Sequence, residues 1–363
     1  MGVCKLSVNK KGISTIFVLI ILVAAVAVGA AGVYVMTKDS NNNDNSKVAP
    51  DDSDKTVNGK LGIGSKLYYD LGPRTAKTIG AVPSGSLVCE VIGEDSKYYY
   101  ISITNAFETR GEPYILKMHK VTGAFDWAVS QGDGKWKVTL SVYSDTKEAE
   151  YGYLDVVIDI EVGKYEFGPM IASMTITSGK YTRVASINVA KSVLVDPSDY
   201  VAPSDAGKFI SYKLKIDTDS FGEKILMDAD VKTTVIGKGS AGKAMVLSEI
   251  QMSASFTSGG KTDSFVIDMR EAVASGSVKD LAFFDKYNLP LPANLESMTG
   301  GTAVSFDLGG KQKDAIKYSM TVEGVTLTAI YSADKTMLYE ITMKANTPGF
   351  KMDISIKCTG SNL

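Results

Sequence analysis

The chain reads as a mainly β protein hung from a single N-terminal membrane helix. Three observations lead there. Gly12 to Thr37 forms a 26-residue stretch without a charged side chain, and an Asn/Asp-rich polar segment lies directly behind it. From residue 60 to 363, apolar and polar side chains alternate with period two between glycine-bearing turns. The expected architecture is a transmembrane helix, a flexible stalk and an antiparallel β meander, as a sandwich or half-barrel. The meander forms two related units with one short covering helix.

The apolar stretch comes first. Its core, residues 13–36, is long enough to cross the roughly 30 Å hydrocarbon layer as a helix, because each residue rises about 1.5 Å. A secretory signal peptide would be cut near Ala25, Val26 and Ala27, yet apolar character continues through Val33, Tyr34, Val35 and Met36. A plain signal anchor fits better, with Tyr34 at the far interface. Lys5, Lys10 and Lys11 crowd the short side without an acid, whereas Asp39, Asp44, Asp51, Asp52 and Asp54 follow the span. Residues 1–12 are therefore expected in the cytoplasm, as tail or leader, and the C-terminal domain outside the cell.

A third reading rests on Lys10, Lys11, Gly12, Ile13 and Ser14, followed at once by the apolar run. This segment resembles the leader of archaeal type IV pilin-like proteins, and the resemblance covers about the first 35 residues. It implies cleavage by a prepilin peptidase between Gly12 and Ile13, with the hydrophobic helix retained. Two features depart from that family. Phe17 stands at the fifth mature position, where many members carry Glu, and the helix leads into a polar tether instead of a compact head.

Residues 37–59 contain almost no large apolar side chain and cannot bury enough surface to offset the entropy of ordering. They are expected to be a disordered stalk that lets the domain range roughly 25 Å from the membrane. Behind it, turn chemistry recurs at Gly93–Ser96, Gly132–Lys135, Ser178–Lys180, Gly237–Lys243, Ser258–Lys261, Gly309–Lys313 and Glu323–Gly324. A helix is expected over 278–287, opened by Ser277 with Asp280 and stopped by Pro290 and Pro292.

An internal repeat refines the domain count. Gly64, Leu67, Tyr69 and Leu71 match Gly207, Ile210, Tyr212 and Leu214 in spacing, and Val91, Ile92, Gly93 recur as Val235, Ile236, Gly237. The expected units are residues 60–200 and 205–363, parted by the proline- and acid-bearing stretch at Pro197–Ala206. Gly301, Val304, Phe306 and Leu308 repeat the first pattern once more.

The chemistry on offer is sparse. A net charge of -2 leaves no electrostatic case for nucleic acid. His119 is the only histidine, with no Gly-x-Ser-x-Gly elbow beside it, so it reads as a structural strand residue. Cys89 and Cys358 would share an external compartment and could bridge the ends of the domain, or else sit as small buried hydrophobes. Asp217, Asp219, Gly222 and Asp228 begin like a calcium loop, but Phe221 takes the place of an oxygen ligand and a hairpin turn explains them more simply. Tyr68, Tyr69, Tyr98, Tyr99 and Tyr100 could form an aromatic binding patch, or follow strand propensity alone. No catalytic, cofactor or metal site is expected. The functional reading is a non-enzymatic binding or cell-surface role for a membrane-anchored β protein, with the bilayer engaged through residues 13–36 and a protein or polysaccharide partner at the surface. Two alternatives stand beside it: a pilin-like subunit assembling through its N-terminal helix, and a β cradle for an apolar ligand.

Overall fold

The computed structural model describes residues 59–73, 75–76, 85–104, 106–107, 113–143, 153–196, 206–238, 244–275, 301–322, 324–335 and 337–362. The leader, the apolar span, nearly all of the stalk and the expected helix at 278–287 lie outside them. Among the described residues, no helix is long and apolar enough to cross a membrane. All regular structure there is β, arranged in two antiparallel sheets.

The first sheet holds β1 (Lys66–Leu71), β2 (Thr75–Ala76), β3 (Gly85–Glu94), β4 (Tyr98–Ile103), β5 (Tyr114–His119), β6 (Ala128–Gly132), β7 (Lys135–Tyr143), β8 (Tyr153–Tyr165), β9 (Gly168–Ser178) and β10 (Tyr181–Val193). The second holds β11 (Phe209–Ser220), β12 (Glu223–Lys238), β13 (Ala244–Ser258), β14 (Lys261–Ser275), β15 (Thr302–Leu308), β16 (Lys311–Val322), β17 (Val325–Ser332), β18 (Leu338–Thr347) and β19 (Phe350–Ser361). Alternation sets the faces, as period two requires. Along β11, Ile210, Tyr212, Leu214 and Ile216 are buried while Lys213 and Lys215 point away from that core.

The two sheets share one topology. The first runs β5-β4-β3-β1-β10-β9-β8-β7-β6, with only the short β2 pairing off this path, and the second runs β14-β13-β12-β11-β19-β18-β17-β16-β15. In each, the first strand lies between a meander that leaves it and the last strand of a meander that returns. Local details repeat too. Gly64 and Gly207 both adopt positive φ (95° and 87°) and donate their N–H to Val91 and Val235, each at 2.8 Å. Register shifts fall between Val91 and Gly93 in β3 and between Val235 and Gly237 in β12. Buried Tyr69 donates to the carbonyl of Ile171 in β9, and its counterpart Tyr212 donates to Leu338 in the matching β18. The expected pair of related β units is present. The third match, Gly301 to Leu308, falls on the edge strand β15 and has no such role.

The first sheet must curl back on itself. Its edge strands β5 and β6 are eight strand spacings apart in order, about 38 Å if flat. Yet Phe125 pairs with Met118 of β5, and β6 begins at Ala128, three residues on and so within about 11 Å. Its core includes Leu67, Tyr69, Cys89, Ile101, Leu116, Ile158 and Ile176, all 0% exposed. The second sheet encloses a separate core around Leu214, Ile216, Ile250, Tyr331, Ile354 and Cys358.

Candidate functional site

The units meet along matching segments. Gly93 sits so close to Ile236 that a Cβ there would lie 2.5 Å from the Ile236 carbonyl oxygen, and a Cβ on Gly237 would lie 3.3 Å from the Ile92 oxygen. At Gly93 only glycine allows that approach, while at Gly237 a Cβ would be tight. Around it Tyr100 and Ile115 of the first unit pack with Ile236 and Leu247 of the second in a small core of their own.

Beside this apolar contact lies a cluster of four charges, two from each unit. Lys117 on β5 reaches Asp126 at 2.8 Å and Glu249 on β13 at 3.6 Å. Arg270 on β14 contacts Glu249 at 3.1 Å and Asp126 at 3.4 Å, and its side chain has no exposed surface. Its guanidinium lies 4.0 Å from the centre of the Trp127 ring, a cation–π contact in a desolvated place. Two cations face two carboxylates, so the cluster is neutral, as buried charge must be. Burial alone would raise the Asp126 carboxyl, but the hydrogen bond and charge of Lys117, with the charge of Arg270, hold it below the usual carboxylate value. Burial lowers the Arg270 guanidinium, and Glu249 and Asp126 oppose that shift.

A pocket of about 260 Å³ opens from this cluster, with Lys117, Asp126 and Trp127 on one side and Tyr212, Asp230, Lys232, Glu249 and Gln251 among the residues on the other. Trp127 holds its backbone at φ 59°, a left-handed conformation that costs a bulky residue energy and persists only where surroundings impose it. A wider trough of about 700 Å³ runs over β11–β14 and β19. Its walls belong to the second unit alone, and its charges pair across an open face, Lys213 and Lys215 with Asp228, and Lys351 with Asp217. The junction pocket is the stronger candidate because both units build it and two of its charged groups, Lys117 and Glu249, are buried.

Residues singled out in the sequence are distributed differently. Gly12 and Ile13 lie outside the described residues. Of the two readings of Cys89 and Cys358, the structure shows the second: both are free thiols, each a small buried side chain in a separate core. Burial raises both thiols, Cys358 to about 11. His119 accepts the backbone N–H groups of Val121 and Thr122 at 3.3 Å through Nδ1 and packs edge-on against Tyr98, which ties the turn after β5. Asp219 accepts from Gly222 in the β11–β12 turn, with Phe221 exposed at its tip. The tyrosines do not form one patch. Tyr69 and Tyr99 are buried and donate to Ile171 and Leu61, while Tyr100 donates to Asp95 at 2.7 Å.

The junction residues had one legible signal. Tyr114, Ile115, Leu116 and Met118 place apolar side chains on both parities of one strand, the pattern of a strand covered on both faces, and the structure buries all four. The partner across it, Arg270 with Glu249, carries no comparable mark.

No protein-family model and no curated protein matches the chain. Among solved structures it is similar to a crystal structure of a "putative outer membrane protein" from Bacteroides fragilis NCTC 9343, at 9% identity over 83% of this chain and 98% of that one, with a TM-score of 0.22. A likeness that loose carries nothing over to this chain.

Proposed function

We propose that the chain is a membrane-anchored, extracytoplasmic β protein with a non-enzymatic binding role at the cell surface. The observation that carries this reading is the uncharged run Gly12–Thr37, followed by a polar tether and then a head. The head suits such a role because its two units are held together by a desolvated apolar and ionic junction, which presents a fixed surface at the end of a loose tether. Protease treatment of intact cells tests the topology. The head should be digested or released while residues 13–36 stay with the membrane; a head protected until the membrane is opened would overturn the reading.

A second reading draws on Lys10–Ser14: a pilin-like subunit or accessory protein that assembles through its helix. Sequencing the mature N-terminus from the same membranes decides it. Ile13 as first residue supports it, and an intact Met1 or a cut near Ala27 removes it.

A further inference from the structure

We propose that the junction pocket is a carbohydrate subsite that takes one neutral sugar ring. This rests on the reading of the head as a surface-binding element and names the ligand class for it.

Size comes first. At about 260 Å³ the pocket falls just under the ~300–1,000 Å³ typical of drug-sized ligands, which suits a single ring and not an acyl chain or a peptide. Charge comes next. Each ionic group on the wall already has a partner: Lys117 with Asp126 and Glu249, Asp230 with Lys213 at 2.8 Å, and Lys232 over the Phe209 ring at 4.8 Å. An ionic ligand would have to break one of these pairs in a partly desolvated site, at a cost larger than it recovers. A neutral polyol asks for no such exchange. Carboxylates keep more acceptor positions than one ion pair uses, and the Gln251 amide adds donor and acceptor, so ring hydroxyls meet partners of both kinds.

The aromatic wall completes the fit. A sugar ring has a face of C–H bonds that bear slight positive charge, and these pack on the negative face of an indole. Trp127 lines the pocket with its backbone at positive φ, and its ring is held by the Arg270 guanidinium 4.0 Å from its centre and by the first unit's core. Strain of this kind persists where the surrounding structure imposes it, and it is concentrated at ligand sites. The site also lies at the seam between two units, where ligand pockets concentrate.

Trp127 reports on its own pocket, because the chain has only two tryptophans. The full chain with Trp136→Phe, in micelles of a detergent without a sugar headgroup, is titrated with mannose, galactose and N-acetylglucosamine, and in parallel with inorganic phosphate and glycine. At least one sugar should shift Trp127 emission saturably, with a Kd on the order of 1 mM as befits a single small ring. Asp230→Ala and Gln251→Ala should each weaken it about tenfold while leaving the unfolding temperature unchanged, since both side chains reach solvent. The proposal is overturned if no sugar saturates, if only phosphate or glycine does, or if both variants respond like the parent. A flat titration with the head exposed on intact cells removes the ligand alone; a shielded head removes the surface reading whatever the titration gives.

Discussion

Arg270 is the residue on which the joining of the two units depends most, and replacing it by Met isolates that dependence. The side chain is wholly buried and meets Glu249, Asp126 and the Trp127 ring at 3.1, 3.4 and 4.0 Å. Removing it leaves two carboxylates against one remaining cation, Lys117, with Glu249 itself only 5% exposed. Breaking a buried pair by deleting one partner costs about 3–5 kcal/mol. At roughly 2–4 °C per kcal/mol for a domain of this size, the unfolding temperature should fall by about 10 °C. The paired change Arg270→Met with Glu249→Leu removes one charge of each sign and leaves Lys117 and Asp126 balanced at 2.8 Å. Buried pairs exchanged for packed apolar groups are near neutral, so the double variant should recover most of the loss. Thermal unfolding of the full chain, followed by circular dichroism, measures both. A single variant that costs under ~1 kcal/mol, or a double variant that costs the sum of its parts, would refute the reasoning.

Two further outcomes follow from the same junction. Gly93→Ala should destabilise by about 1–3 kcal/mol, because its Cβ would press on a backbone oxygen 2.5 Å away, while Gly237→Ala, at 3.3 Å, should cost less; equal losses in the two unfolding curves would contradict the packing described. Asp126 has a depressed carboxyl, so its contribution is present above the unfolded value near pH ~4 and is lost as pH falls through the lower folded value. The stability gap between the parent chain and Asp126→Asn should therefore be full at neutral pH and narrow below about pH 4, and a gap that widens on acidification would reverse the assignment.

Much of the β architecture was legible because its physics is local. Period-two runs such as Phe209–Ile216 and glycines such as Gly259 and Gly324 at positive φ place strands and turns without any long-range contact. The repeat was legible for a similar reason, since Gly64 and Gly207 serve the same bend. The pairing of β1 with β10 and of β11 with β19 was not, because it joins strands more than a hundred residues apart. The junction was hidden for a different cause. Lys117 and Arg270 look like ordinary outward strand residues until a second sheet covers them, and the cysteines look like a pair until each is seen in its own interior.

The contact of Gly93 with Ile236 and of Gly237 with Ile92 has a consequence for how copies of the chain meet one another. A seam made of like segments would accept a first unit from a neighbouring chain almost as readily as the second unit of its own. The charges break that ambiguity, because Lys117 and Asp126 find Glu249 and Arg270 only on a second unit. A first unit facing its own kind would bury its cation and its acid without those complements. Association of a first unit with a second is thereby favoured over pairing of two first units, whichever chain supplies the partner.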